Sequence, residues 1–289
     1  MLKLRLSALA LASLSVCLTG HAQYADSVVS YFPGTGFSPG FTNPVSALGE
    51  PSRATPGTFG GPVDPFDPAY LPSQLVSIGA GGWITVKFSW PVLNHPRNRF
   101  GIDFIIFGNS FFVITNGNYS GDGITDGSIY GNGDLTRVSV SRDGVVFYQL
   151  NPALAPTVDS LWPTDGSGDF HTPADPSLSQ TDFAGLTLEG IRALYYGSAG
   201  GAGYDISWAQ DADGRPVLLP EISYVRVEVL SGKSDLDGFA SVFAPPGHSR
   251  QGHGRGSGER SGHDQCLFRS CQICKGSRAG GNLADDRRN

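Results

Sequence analysis

The sequence predicts an all-β protein with a jelly-roll-like sandwich fold and one minor helix. Forty glycines and twenty prolines among 289 residues indicate many turns, and only 16% of the residues are charged, a composition typical of a turn-rich sandwich. Short apolar runs of strand length recur between these turns. Only one segment has the pattern of a helix.

The candidate strands are identified from their apolar patterns. Residues 83–90 alternate, with Ile84, Val86, Phe88 and Trp90 predicted on one face. Residues 103–107 form a continuous apolar run, which predicts a strand buried on both faces. In chain order the candidates are residues 27–32, 83–90, 103–107, 111–115, 137–141, 145–150 and 224–229.

The connections between these strands are predicted from turn and capping residues. Asp143-Gly144 lies between two strand-like runs and predicts a hairpin, because glycine accepts positive φ. Residues 188–195 place apolar side chains on one face, with Thr187 as the expected N-cap. Residues 33–72 form a long loop rich in Pro and Gly, and such loops usually carry function or are disordered.

The N-terminus has the pattern of an export signal over residues 1–22. A short basic start precedes an apolar run over residues 6–18, and small residues precede a cut after Ala22. The run is too short for a membrane span, which needs about 20 residues. Cys17 leaves lipoprotein processing as an alternative, although bulky Val16 precedes it. The sequence therefore predicts a secreted protein, with no transmembrane segment after signal removal.

Charge divides the remaining chain into a domain over residues 23–244 and a tail over residues 245–289. The domain has 10 Lys and Arg against 22 Asp and Glu, a net charge of −12, and contains no cysteine. Such a domain repels phosphates and anionic lipids, so nucleic acid is not an expected partner. The tail, rich in Gly, Arg and Ser, is expected to be disordered.

An ordered series of short motifs extends over residues 25–242. It resembles a family of secreted bacterial cell-surface proteins, often described as PEP-CTERM sorting-domain proteins. The motifs are LGEP at 48–51, VSIGAGGWITV at 76–86, DFIIFGN at 103–109, FAGLT at 183–187, GGAGYDI at 200–206, DADGRPV at 211–217 and YVRV at 224–227.

The resemblance implies a galactose-binding-like β-sandwich, export, and residence at the cell surface or in the extracellular matrix. It implies no established reaction and no catalytic residues. Two features depart from the family pattern: the sorting motif and its apolar helix are absent from the tail, and the loop over residues 94–99 is more basic than expected.

Carboxylates in turn-rich sequence are candidate ligands for a structural calcium ion. Calcium binds six to eight oxygens, which acidic loops supply as carboxylates and carbonyls. The alternative is that each aspartate caps its own turn, since its side chain bonds nearby backbone. A second cluster at residues 116–123, 126–127 and 132–134 is a further candidate for calcium coordination or for a glycan-binding rim, and a flexible loop is the alternative. The predicted metal ligands are Asp205, Asp211, Asp213, Asp235 and Asp237.

Aromatic residues in polar sequence are candidates for glycan binding, because sugar C–H faces pack on aromatic rings. Tyr119 and Trp162 lie in loop-like sequence, and Trp208 lies close to Asp205. Packing in the core is the alternative for each of them. Asn109 completes the predicted ligand-binding set.

Enzyme motifs are absent from the sequence of the domain. Only His95 and His171 could serve there as histidine bases, and neither belongs to a hydrolase motif. Paired carboxylates for glycoside hydrolysis remain an alternative, with Glu50 and Glu189 as the first candidates. We therefore expect a non-catalytic surface module that binds polysaccharide or extracellular matrix. A secreted glycan hydrolase and a purely structural matrix protein are the alternatives.

Overall fold

The computed structural model describes residues 23–119, 121–131, 135–159 and 161–242. The predicted signal peptide and the predicted tail lie outside the described residues. Within these ranges the chain forms one α-helix, α1 (Leu188–Tyr195), and fourteen strands. The strands are β1 (Ser27–Phe32), β2 (Ala54–Thr55), β3 (Gly61–Pro62), β4 (Val76–Gly79), β5 (Trp83–Leu93), β6 (Phe104–Gly108), β7 (Phe111–Ile114), β8 (Thr125–Tyr130), β9 (Thr136–Ser141), β10 (Tyr148–Leu150), β11 (Ala202–Tyr204), β12 (Ala209–Gln210), β13 (Glu221–Val229) and β14 (Lys233–Ser241).

Two antiparallel sheets form a β-sandwich, which confirms the predicted fold class. The larger sheet has six strands in the order β1-β5-β13-β9-β10-β12, and the smaller has four in the order β11-β6-β14-β4. Side chains from both sheets share one buried core, including Val86 and Val225 from the larger sheet and Ile106 and Phe239 from the smaller. The jelly-roll connection of the strands stays a prediction.

The smaller sheet is buried on both faces, as its continuous apolar sequence predicted. Phe104 and Ile106 point into the core between the sheets, whereas Ile105 and Phe107 belong to a second cluster with Phe170. Successive side chains of a strand point to opposite faces, so β6 contributes to both clusters. The chain after β10 therefore covers the outer face of this sheet.

Most strand predictions are confirmed within a few residues, but one side chain lies elsewhere. Trp90 was placed on the apolar face of its strand, yet it is 66% exposed, whereas Thr85 is fully buried. The pairing of β5 with β13 is irregular: Lys87 pairs with Tyr224 and Val92 pairs with Ile222, so the register shifts between these two pairs. Trp90 lies within this irregular stretch and faces solvent, whereas Val92 beyond it is buried in the core again.

The helix and the hairpin follow their local signals. Helix α1 has the predicted bounds, and the Thr187 side chain accepts a hydrogen bond from the Gly190 N–H. Strands β9 and β10 pair across the Asp143-Gly144 turn, where Gly144 has φ 76°. Helix α1 packs against the β7–β8 hairpin through a third apolar cluster, which includes Phe112, Trp162, Phe183, Ile191 and Tyr195.

Replacing Ile106 by alanine tests the shared core. We expect Ile106→Ala to lower the free energy of unfolding by about 2–5 kcal/mol, because the side chain is buried between the two sheets and the variant leaves a cavity. Val145→Ala, at an 81% exposed position, should change it by less than about 0.5 kcal/mol. Urea denaturation measures both variants, and equal effects would contradict the assignment of the core.

Candidate functional site

An open cleft lies beside the start of α1, where three segments that are distant in sequence meet. Its volume is about 390 Å³, within the range of small-molecule sites. The long loop over residues 33–72 contributes two carboxylates, the β7–β8 connection contributes an aromatic ring and an amide, and α1 contributes Leu188. The lining residues are Asp64, Phe66, Asp67, Ile114, Asn118, Tyr119, Gly121, Gly123 and Leu188.

The β7–β8 connection presents Tyr119 to solvent at the cleft. Asn116 holds this connection in shape, because its amide nitrogen donates to the Asp122 carbonyl at 2.8 Å. Its side-chain oxygen accepts the N–H groups of Asn118 and Ile124, both at 3.2 Å. The Tyr119 side chain is 79% exposed, so the predicted ligand-binding ring is available for stacking.

Two carboxylates that the sequence interpretation did not single out, Asp64 and Asp67, lie in the same cleft. The Asp64 side chain accepts the N–H of Phe66 at 2.8 Å and of Asp67 at 3.1 Å, so it fixes the turn that carries both acids. Burial raises the pKa of Asp64, and burial together with the charge of Asp64 raises the pKa of Asp67. Their only sequence signal was their place in an unusually long loop.

An ion pair beneath the cleft links the helix to the adjoining segment. Arg192 of α1 binds both oxygens of Asp165, with distances of 2.8 and 3.1 Å. The positive charge of Arg192 also acts on Asp64 and partly offsets the burial that raises the pKa of that acid. Because Asp165 is buried, this bidentate pair fixes the position of α1 beside the cleft.

The two candidate tryptophans meet in a different, apolar cavity of about 140 Å³. Trp162 is only 5% exposed and packs on Phe183 with 5.1 Å between ring centroids. It therefore belongs to the core under α1 and lacks the exposed face expected from its polar sequence context. Trp208 is half-buried and lines the same cavity, with Leu154 and Pro156. Neither tryptophan lines the cleft of Tyr119.

Asn109 lies at the end of β6, outside both cavities. Its backbone N–H donates to the Asp159 carboxylate at 2.7 Å, and the N–H of Ser110 donates to the same oxygen at 2.9 Å. The other Asp159 oxygen accepts the N–H of Asp235 at 3.1 Å. Asp159 is a buried anchor between β6 and β14 that the sequence interpretation missed, since nothing in its local sequence distinguishes it.

Two of the predicted metal ligands cap local turns, and a third forms an ion pair. Asp205 accepts the N–H of Ser207 at 2.7 Å, and Asp211 accepts the N–H groups of Asp213 and Arg215, both at 2.9 Å. Asp213 forms an ion pair with Arg215. The contacts of Asp205 and Asp211 match the turn interpretation that the sequence left open for them.

The other two predicted ligands, Asp235 and Asp237, are buried on β14 with separate partners. Asp235 pairs with Lys233 at 2.8 Å, while Asp237 accepts the backbone N–H and the hydroxyl of Ser52 at 2.7 and 2.8 Å. Over the described part of the chain, no group of three or more His, Cys, Asp or Glu side chains is placed to hold a metal ion. The structure does not bring the five predicted ligands together.

The first candidates for catalysis also lie on separate elements. Glu50 pairs with Arg53 at 2.7 Å, and Glu189 is exposed in the first turn of α1. The ring of His171 contacts the Ser241 carbonyl at 2.7 Å, while His95 accepts the N–H of Arg97 at 3.1 Å. These contacts order the adjacent backbone and do not join a base to a nucleophile.

Comparison with protein-family models and with curated proteins gives no match to this sequence. Among the described residues, no helix has the length and apolar character required to cross a bilayer.

The Asp237 carboxyl makes stability depend on pH. Burial raises its pKa from 3.8 to about 7, so the folded protein binds this proton more tightly than the unfolded chain. The stabilisation of the folded state by the bound proton is complete below about pH 4 and is lost as pH rises through 7. The Asp237→Asn variant keeps polar partners for Ser52 but cannot titrate. We therefore expect its free energy of unfolding, relative to that of the wild type, to increase between pH 4 and 7 and then to level off.

Urea unfolding of both proteins at successive pH values measures this difference. Asp126→Asn is the control, because hydrogen bonds from Ser128 lower the pKa of exposed Asp126. The stability of this variant relative to the wild type should therefore fall as pH rises. Parallel stability profiles for the wild type and Asp237→Asn would contradict the assignment.

Proposed function

We propose that this chain is a non-catalytic module, secreted or attached to the cell surface, that binds polysaccharide in the Tyr119 cleft. One observation carries the proposal: an exposed tyrosine ring stands at a cleft that also presents Asn118 and the carboxylates of Asp64 and Asp67. Sugars offer C–H faces to such a ring and hydroxyl groups to carboxylates and amides, so the cleft combines both kinds of contact.

Export and surface residence are part of the same proposal. They rest on the signal-like N-terminus and on the resemblance to secreted surface proteins over residues 25–242. The net charge of −12 over residues 23–244 supports a ligand other than nucleic acid or anionic lipid. Extracellular matrix polysaccharide is the partner that agrees with the export signal and the cleft together.

The role of structural calcium, which the sequence predicts, is a question for the same binding experiment. Because the five predicted metal ligands cap separate turns or bind separate partners, we keep structural calcium only as a variable of the binding experiment. Retention on polysaccharide measured with calcium and with a chelator detects any role of the ion.

Tyr119→Ala tests the cleft directly. We expect retention of the purified protein on the polysaccharides that it recognises to fall about tenfold, since the variant loses the stacking surface. Tyr130→Ala is the matched control, because Tyr130 is 67% exposed on the adjacent strand but does not line the cleft. A polysaccharide array measures both variants.

Equal losses for Tyr119→Ala and Tyr130→Ala would show that the exposed rings act non-specifically. A wild-type protein that binds no polysaccharide would overturn the proposal and favour the structural matrix protein.

A glycan hydrolase is the second candidate function, and it rests on the pair of carboxylates in the cleft. Glycoside hydrolysis requires one protonated and one ionised carboxyl group. Asp64 and Asp67 have raised pKa values and interact electrostatically, so one member could remain protonated at higher pH than an ordinary aspartate.

Release of reducing sugar separates the two candidates. For the binding module we expect no release by the wild type, whereas a hydrolase would lose about 100-fold in rate with either Asp64→Asn or Asp67→Asn. Asp143→Asn, in the exposed β9–β10 turn, is the control variant. Sugar release that both cleft variants abolish would replace binding with hydrolysis as the function.

A further inference from the structure

The loop between β5 and β6 carries two arginines that lack a carboxylate partner. Across residues 23–119, 121–131, 135–159 and 161–242, no acidic side chain lies within ion-pair distance of Arg97 or Arg99, although most other arginines of this region are paired. The domain has more than twice as many acidic as basic residues. Unpaired guanidinium groups therefore require an explanation.

Arg99 lies over two aromatic rings at the surface. Its guanidinium carbon is 4.8 Å from the ring centroid of Phe100 and 5.3 Å from that of Tyr196. We call these three residues the arginine–aromatic cluster. Both rings are exposed, Tyr196 by 77%. A guanidinium has five N–H donors in its plane, and Arg99 donates to the Tyr196 carbonyl at 3.4 Å, so other donors remain for a ligand.

Both aromatic residues of the cluster adopt left-handed backbone conformations. Phe100 has φ 59° and Tyr196 has φ 48°, a region that bulky residues seldom occupy. Glycine would fit either position without strain. Tyr196 is the C-cap that ends α1, and strained conformations of this kind concentrate at functional sites, which agrees with a binding role for the two rings.

The loop that carries Arg99 is fixed by the buried carboxylate of Asp103. This carboxylate accepts the N–H of His95 at 3.1 Å, the amide of Asn98 at 2.8 Å and the N–H of Ile206 at 2.9 Å. The guanidinium is therefore held in place before a ligand arrives, which reduces the entropy lost on binding.

The cluster and the Tyr119 cleft lie at opposite ends of the same helix. Leu188, the first residue of α1, lines the cleft, and Tyr196 follows the last residue of α1. Eight residues of helix separate the two positions by about 12 Å along the axis. An extended chain of several sugar units can span this distance, whereas a single sugar cannot.

We propose that the arginine–aromatic cluster binds the carboxylate of a single uronic acid residue flanked by neutral sugars in a polysaccharide, because the net charge of −12 over residues 23–244 repels a densely charged polymer. This inference rests on the proposed polysaccharide-binding function and adds the charge class of the ligand. The planar N–H groups of Arg99 match a carboxylate in a bidentate arrangement. The exposed rings beside it pack against the C–H groups of the pyranose ring.

Titration with glucuronate and with glucose, followed by NMR of the full-length protein, tests the cluster without a polymer. We expect the wild type to bind glucuronate more tightly than glucose, and Arg99→Ala to weaken glucuronate binding about 10- to 100-fold. Arg99→Lys keeps the charge but loses the planar fork, so it should restore only part of the affinity. Arg215→Ala, at an exposed arginine already paired with Asp213, should have no effect.

Tyr196→Gly separates a binding role from a structural one. Glycine relieves the strained backbone, so the variant should be at least as stable as the wild type, and it should nevertheless bind glucuronate more weakly. Unchanged glucuronate affinity in this variant would assign the ring a structural role and overturn its part in the site.

Retention on hyaluronan, in which uronate and neutral sugars alternate, and on neutral dextran distinguishes this inference from the proposed function. One outcome is that the protein retains both polymers with equal affinity, that Tyr119→Ala loses this retention and that Arg99→Ala does not. This outcome would overturn the uronate site and leave the proposed function standing. Arg99-dependent binding of glucuronate without retention of any polymer would support the site and overturn the polysaccharide-binding function. Preference for hyaluronan that Arg99→Ala abolishes supports both.

Discussion

The burial of the smaller sheet on both faces determines much of the architecture. Strands β6 and β14 are almost wholly buried, so the larger sheet covers one face and the chain after β10 must cover the other. That covering segment includes α1 and its apolar contacts with the β7–β8 hairpin. The same constraint requires that polar groups on these strands find partners inside the protein. Asp159 meets part of this need by joining the backbones of β6 and β14, and Asp237 meets another part by binding Ser52.

This constraint also accounts for the distribution of the aspartates. A carboxylate on a doubly buried strand needs partners inside the protein, because an unpartnered charge in the interior is unfavourable. Asp235 and Asp237 therefore face separate internal partners, Lys233 and Ser52. In the surface turns, the backbone N–H groups that follow each aspartate are the nearest donors, and Asp205 and Asp211 bind them. Carboxylates that are close in sequence thus have different structural roles.

The sequence predicted the local elements well because strand and helix patterns are encoded over a few residues. The α1 helix has its predicted bounds, and the strand at β1 does too. Burial depends on contacts between distant segments, so the sequence misplaced Trp90, which is exposed, and left open the packing that buries Trp162 under α1. The exposed Tyr119 was anticipated from its polar context. Its partners Asp64 and Asp67 were not, because they come from a loop about fifty residues earlier in the chain.

The rigidity of α1 gives the two surface sites a physical relationship. The bidentate pair of Arg192 with Asp165 holds the helix from one side, and the buried Tyr195 hydroxyl donates to the Pro163 carbonyl at 2.7 Å near its end. The distance between the cleft and the arginine–aromatic cluster is therefore fixed. A ligand that contacts both sites gains from their high effective concentration, provided that its own length matches this spacing. Because a monosaccharide reaches one site at a time, such an arrangement favours polymers over their monomers even when each individual contact is weak.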